Sequence, residues 1–275
     1  MEAKTIQIEW TPGLVKNVYF LGDIHEGAAN MDEKSFKEAV KLIEKDGDYW
    51  LGLGDYVDAI NYHDKRFNPH EISEKYNLRD LDDLPKQQSD RFIANVDCIK
   101  DKCLGLLYGN HEDTYRQYNT FDVVDYMAKQ LNVSNLKHKA WISLSFIRKS
   151  AKDKAVTTKI VACHGQGGGG MREGFPINKC HDVFRWDMAD VHVMAHLHRM
   201  AVNRATYNRY EYNALRKDPI WFAVNGCFLE KSTPGNDGYF EQKSGQESSI
   251  GLLKLTIQTA GNRDRFKLDL QPIYL

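Results

Sequence analysis

The sequence predicts an α/β layered fold, and three observations carry that expectation. Short apolar runs of strand length end abruptly in polar clusters. Segments with helical periodicity lie between those runs. The clusters hold Asp, His and Asn, and in α/β folds such side chains gather at the carboxyl ends of strands.

Taken in order, residues 18–21 run into Gly22-Asp23, and residues 49–53 into Gly54-Asp55. Residues 104–108 run into Gly109-Asn110-His111, residues 160–163 into His164-Gly165, and residues 191–195 into His196-Leu197-His198. Unbroken Val, Ile and Leu character suits strands buried on both faces. Residues 32–45 place Phe36, Ala39, Val40, Leu42 and Ile43 on one side with charges opposite, a helical pattern. Residues 89–99 and 121–131 read the same way. Residues 60–88 are polar, contain Pro69 and Pro85, and read as an inserted loop region near the site. From about Pro219 the chain reads as strands, at 220–224, 250–257 and 266–270, with short connections that suit antiparallel pairing. One domain over residues 1–275 is expected, with 219–275 belonging to it.

A chain of 275 residues can bury a sizeable core. Lys plus Arg total 37 and Asp plus Glu 38, so whole-chain charge gives no support to a duplex-DNA binder. A nucleic-acid role would need a local patch. The five cysteines are odd in number and lack a CxxC pair, which argues against a disulfide framework or thiolate zinc site. No window reaches the apolar length of a membrane span, and the N-terminus is charged early. A cytoplasmic protein with no membrane partner is expected.

The chemistry resides in five clusters: Asp23-Ile24-His25, Gly54-Asp55-Tyr56-Val57-Asp58, Gly109-Asn110-His111-Glu112, His164, and His196-Leu197-His198. Asp, His and Asn offer mixed oxygen and nitrogen donors for borderline divalent ions. Residues two apart on an extended segment face one side, so Asp23 and His25 can reach one ion, and His196 and His198 one cavity.

In this order the blocks resemble those of the calcineurin-like metallophosphoesterases: DxH, GDxxD, GNH[DE], H and GHxH. Ala195 stands where the last block usually has Gly, a change of small effect unless that backbone needs a positive φ. The resemblance implies a four-layer αββα sandwich with two mixed β-sheets and a metal site at the strand carboxyl ends. It implies that Asp23, His25, Asp55 and His198 hold one metal, and Asp55, Asn110, His164 and His196 a second, with Asp55 bridging. Two divalent ions follow, Mn²⁺ first, with Fe²⁺, Zn²⁺ or a mixture as alternatives. A metal-bridging hydroxide would attack phosphorus in line. His111 would act at the leaving group, and Asp58 would hydrogen-bond His111, fix its tautomer and raise its pKa.

Other features carry two readings each. His192 shares a strand with the last block and is either site-facing or a satisfied core histidine. His63, His70, His138 and His181 read as surface residues. Glu112 either supports the site or caps the following helix. The glycine run 165–170 either cradles phosphate through N–H groups or is a linker. Cys163 is a reactive thiol or a small buried filler. Residues 199–217 hold Arg199, Arg204, Arg209, Arg216 and Lys217 against Glu211, interleaved with Tyr207, Tyr210 and Tyr212. That stretch is either a grip for single-stranded nucleic acid or a solvated hairpin. Asn110, Arg199, Arg204 and Tyr207 are the candidate substrate contacts.

Ala59 occupies the place of the phosphate-binding Arg in the protein Ser/Thr phosphatases, which argues against that branch. The runs 64–69 and 224–229 look like nuclease-like metallophosphoesterases of bacteria and their viruses. The expected activity is phosphodiester hydrolysis in a nucleic acid or nucleotide. The alternatives are a small-molecule phosphomonoesterase, a nucleotide pyrophosphohydrolase, or a metal-binding scaffold without catalysis.

Overall fold

Unbroken apolar runs and alternating segments both become strands here, and each kind has its place. The structure is a computed structural model that describes residues 1–60, 67–76, 83–148, 155–168, 170, 172–211, 213–231, 247–259 and 266–275, without the side chains of residues 148, 209, 211 and 216.

The unbroken runs are the central parallel strands: β2 (Val15–Leu21), β3 (Tyr49–Gly52) and β4 (Cys103–Leu107) in one sheet, β7 (Ala155–Cys163) and β8 (Val191–Met194) in the other. The alternating segments are β1 (Glu2–Trp10) and β6 (Lys139–Arg148), which the apolar-run reading passed over. In β6 every second residue, Ala140, Ile142, Leu144 and Phe146, is buried. β5 (Asn135–Lys137), β9 (Ala201–Glu211), β10 (Ala214–Val224), β11 (Gly251–Thr259) and β12 (Phe266–Tyr274) complete the strands.

One six-stranded sheet has the order β1-β6-β7-β8-β10-β9, the other β12-β11-β2-β3-β4-β5. Both are mixed. In the first, β7-β8 and β8-β10 are parallel while β6-β7 and β9-β10 are antiparallel. In the second, β2 to β5 are parallel and β11 is antiparallel to both β2 and β12, the arrangement expected for the C-terminal strands. The sheets face one another across a core that includes Phe20, Leu51, Leu53, Ile142, Leu144, Val193, Leu253 and Leu255.

Helices close both outer faces. α1 (Glu33–Asp46), α2 (Leu84–Val96) and α4 (Val123–Leu131) pack on the β2–β4 sheet through Phe36, Ile43, Phe92 and Met127. α5 (Phe175–Val183) packs on the other sheet with Cys180 beside Phe222 and Met194. The result is the αββα sandwich. Asp32 caps α1 through Ser35 N, and Asp122 caps α4 through Asp125 N, so both helices begin where a side-chain acceptor precedes the apolar stripe.

Two expectations are corrected. The second helix begins at Leu84, not 89, because Pro85 sits in the first turn, where a missing N–H costs no helical bond. The segment before it is also less loose than a loop reading implies. Ala29 N donates to Glu71 O (2.8 Å) and Ser73 N to Gly27 O (2.9 Å), which fastens residues 71–73 to the chain just past His25. Residues 61–66 and 77–82 of that region, including His63 and Asp64 to Arg66, lie outside the described residues, as does Tyr212.

Among the described residues no helix is long and apolar enough to cross a membrane. All five cysteines carry free thiols. Cys163 is buried, and burial pushes its thiol up to about 12, so it is a filler rather than a nucleophile at neutral pH.

Candidate metal centre

Parallel strands that end at one rim deliver their next residues to one place. β2, β3 and β4 release Asp23, Asp55 and Asn110 from one sheet, and β7 and β8 release His164, His196 and His198 from the other. The site therefore spans the edge between the two sheets.

The local backbone there is not the extended one that residue spacing suggests. Asp23 (φ 51°), His25 (φ 54°), Asp55 (φ 51°), His196 (φ 73°) and His198 (φ 55°) all adopt left-handed conformations. For non-glycine residues each such turn costs on the order of 1 kcal/mol or more. Five of them at one rim mark a place where side-chain direction outweighs backbone comfort. Asp23 and His25 therefore converge through left-handed turns after the strand has ended, not through strand alternation. Ala195 is not among the positive-φ residues, so its replacement of the usual Gly brings no backbone strain.

The side chains meet in nests. Asp23, His25 and His198 form one, with His25 Nε2 3.3 Å from His198 Nε2 and His198 Nε2 3.6 Å from Asp23 Oδ1. Asp55, His164 and His196 form another, with His164 Nε2 3.1 Å from Asp55 Oδ2 and His196 Nδ1 3.2 Å from His164 Nε2. Asn110 Oδ1 lies 3.0 Å from His164 Nε2 and joins the second nest. Asp55 Oδ2 is also 3.8 Å from His25 Nε2, so one carboxylate faces both nests. A third overlapping group, His25, Asp55 and His111, brings His111 to the same cage.

Backbone carbonyls aim the rings. His164 Nδ1 donates to Leu53 O (2.8 Å), which leaves Nε2 facing the cage. His196 Nε2 donates to Gly167 O (2.9 Å), which leaves Nδ1 facing inward. The glycine run thus offers Gly167 O to His196 and Gly170 O to Arg199. Gly169 lies outside the described residues.

Glu112 serves both roles that its position left open. Its buried carboxylate accepts from Gly109 N at the start of α3 (Asn110–Tyr118) at 3.0 Å, and from Asp55, Tyr56 and Val57 N at 3.1, 2.6 and 3.2 Å. One side chain therefore holds the Asp55 loop to the Asn110 loop. Burial, then the neighbouring Asp55 charge, raises its carboxyl to about 7. The two loops also pack back to back at Gly54 and Gly109, where a Cβ on Gly109 would collide with Asp55 N and Oδ1. Gly109→Ala is therefore expected to lower stability by about 1–3 kcal/mol, as overpacking does. Thermal melting beside metal titration checks this, and a variant equal to the parent in both would show that the loops have room.

The electrostatics suit a cation. Burial alone would neutralise His164, but the Asp55 and Asp23 carboxylates outweigh it and bring its pKa up to about 10. Burial would raise Asp55 and Asp23, yet His164 and His198 hold both below the ordinary carboxylate value. Burial lowers His25 and His196, which favours the neutral, ligating form. Asp23 Oδ1 and His25 Nδ1 are buried without a hydrogen-bond partner. Orphaned oxygen and nitrogen donors beside buried carboxylates fit a divalent ion, which would displace the proton that these carboxylates recruit.

The remaining site candidates separate. His111 Nδ1 sits 2.6 Å from the Asp58 backbone carbonyl and 3.5 Å from Asp58 Oδ1, so the peptide oxygen, not the carboxylate, is its nearest partner there. Arg199 is buried, with Nη1 2.7 Å from Gly170 O and Nη2 near Glu173. Arg204 lies over the Trp221 ring, and Tyr207 stands six residues into β9, about 20 Å along a strand that runs away from the site. The 199–217 stretch is thus the β9–β10 hairpin, its basic and aromatic residues led away from the cage; the side chains of Arg209 and Arg216 are outside the described set. His192 turns to the α5 side, stacked on Phe222 (4.5 Å) with its nitrogens near Trp221 O and Asp187 O, a satisfied core histidine. His181 also stacks on Phe222, at 3.8 Å, so it is packed rather than a free surface residue.

No family model matches the chain, and no curated protein matches it. Among solved structures, a Streptococcus pneumoniae protein described as a predicted phosphoesterase is 12% identical over 94% of this chain and 90% of its own, with a TM-score of 0.35. Vacuolar Protein Sorting 29 from Cryptosporidium parvum is 11% identical over 95% of this chain and 99% of its own, with a TM-score of 0.41. The reading of the site rests on the side-chain geometry.

Proposed function

We propose that this chain is a dinuclear metal-dependent phosphoesterase that hydrolyses phosphodiesters in a nucleic acid or nucleotide. The observation that carries the reading is the pair of buried donor nests sharing Asp55. Asp23, His25, Asp55 and His198 would hold one ion, and Asp55, Asn110, His164 and His196 the other. The oxygen and nitrogen donor mix suits Mn²⁺, with Fe²⁺ or Zn²⁺ as alternatives. When bound, such ions neutralise charge on phosphoryl oxygens and acidify water.

The chain's own residues do the rest. Asp55 and Glu112 keep the two nests in register through the shared loop contacts. Asp58 O engages Nδ1 of His111 and fixes the ring beside the cage, where it would act as general acid to the leaving oxygen. Among the described residues, Asp23 and Asp55 make no ion pair with Lys or Arg, and histidines compensate both. Arg199 is committed to the 170–173 turn, and Ala59 brings no cation. A cage that meets no guanidinium among the described residues suits a monoanionic diester better than a dianionic monoester.

The test compares turnover of bis(p-nitrophenyl) phosphate and p-nitrophenyl phosphate with added Mn²⁺. Faster diester cleavage is expected. A strong monoester preference would replace the diester reading with a phosphomonoesterase. Metal uptake without turnover of any phosphoester would point to a scaffold.

A further inference from the structure

Gln88 lies on α2, outside every block that carries the chemistry, yet it is 1% exposed and aimed at the site. Its Oε1 accepts from Ala59 N at 2.9 Å. The carbonyl of the same peptide unit, Asp58 O, is the oxygen 2.6 Å from His111 Nδ1. The peptide is trans, so its N–H and C=O point in opposite directions. Gln88, the Asp58–Ala59 peptide and His111 therefore form one line of hydrogen bonds. Such chains polarise each member and fix its orientation.

That peptide needs an outside hold. Ala59 has φ 50°, a left-handed conformation that is unfavourable for a residue with a Cβ. On its near side, Asp58 N donates to Glu26 O at 3.0 Å, which ties the same loop to the residue after His25. Gln88 is in turn fixed against Gly27 (φ 105°), where a Cβ would collide with its amide. One turn further along α2, Arg91 Nε lies 3.0 Å from Glu26 Oε1. The helix grips both loops that flank the His25–His111 contact, whose rings meet edge to face at 4.6 Å.

We propose that Gln88 is a positioning residue for His111: by holding the Asp58–Ala59 peptide, it keeps Asp58 O on Nδ1 and so fixes the angle at which the ring faces the leaving group. This rests on the phosphoesterase reading and adds a residue to it. Gln88 touches neither substrate nor ion. Its loss acts through the orientation of His111, so its effect depends on how much the leaving oxygen relies on that ring.

The experiment replaces Gln88 with Met, which keeps length and removes the acceptor. Turnover is measured on Mn²⁺-loaded protein with phosphodiesters whose leaving groups run from nitrophenol to an alkyl alcohol. With nitrophenol, kcat is expected to fall by less than about threefold; with the alkyl alcohol it should fall about 10- to 100-fold, with KM and metal content unchanged. Gln88→Asn, which draws the acceptor back by one methylene, should give the same trend if the Met variant folds poorly. Nitrogen-15 NMR of the metal-free proteins supplies a readout without activity: a single Nδ1–H tautomer at His111 in the parent and a mixture in the variants. An equal loss across all leaving groups, or an unchanged tautomer, overturns the proposal. If the parent cleaves no ester, the phosphoesterase reading fails, and the tautomer still decides the role of Gln88.

Discussion

Asp55→Asn is expected to empty both nests at once. The carboxylate is buried, with Oδ2 3.1 Å from His164 Nε2 and 3.8 Å from His25 Nε2, while Oδ1 accepts from His111 N at 3.0 Å. Asparagine keeps the shape and removes the charge. Two neighbouring dications repel and need a shared anion. At 4 Å and an effective dielectric of about 20, one unit charge is worth about 4 kcal/mol against another, which is about a thousandfold in affinity. Each ion loses at least that. Metal content after gel filtration and calorimetric titration with Mn²⁺ provide the check. Two ions at full occupancy in the variant would show that Asp55 is not the shared ligand.

His111→Gln should give the opposite separation: ions retained, turnover lost. A general acid contributes roughly 10²–10⁴ in rate. The ring donates to Asp58 O and meets His25 edge to face, while its backbone N–H, which supports Asp55, survives the substitution. The competing possibility is concrete, because His25, Asp55 and His111 themselves form a group able to hold an ion. Loss of one metal in His111→Gln would make His111 a ligand. Unchanged turnover would remove it from the mechanism.

How much of this was legible depends on what each element buries. Strands β2, β3, β4, β7 and β8 were readable because strands covered on both faces must be apolar throughout. α1 and α4 were readable because each turns one stripe to the core. α3 shows no such stripe, since only Glu112 on it is buried, and the sequence marks only its start. β1 and β6 alternate, and a search for unbroken runs passes over alternation. The Arg- and Tyr-rich stretch allowed two readings because it follows His198 in the text, and of these the hairpin is what β9 and β10 form. Glu112 had a signal, the Gly-x-x-Glu spacing of a capped helix start. Leu53 O, Gly167 O and Asp58 O, which aim three imidazoles, had none, because backbone carbonyls leave no mark in side-chain identity.

The cage draws three loops from one sheet and three histidines from the other, so an ion there spans a joint instead of resting on a surface. Ligation of that kind becomes part of folding free energy. A chelator would then work as a conformational reagent, letting one rim of the sandwich gape while the apolar interleaf of Ile142 and Leu253 still holds the far side closed. At that rim, the residues that would grip ions are the ones that join the two sheets.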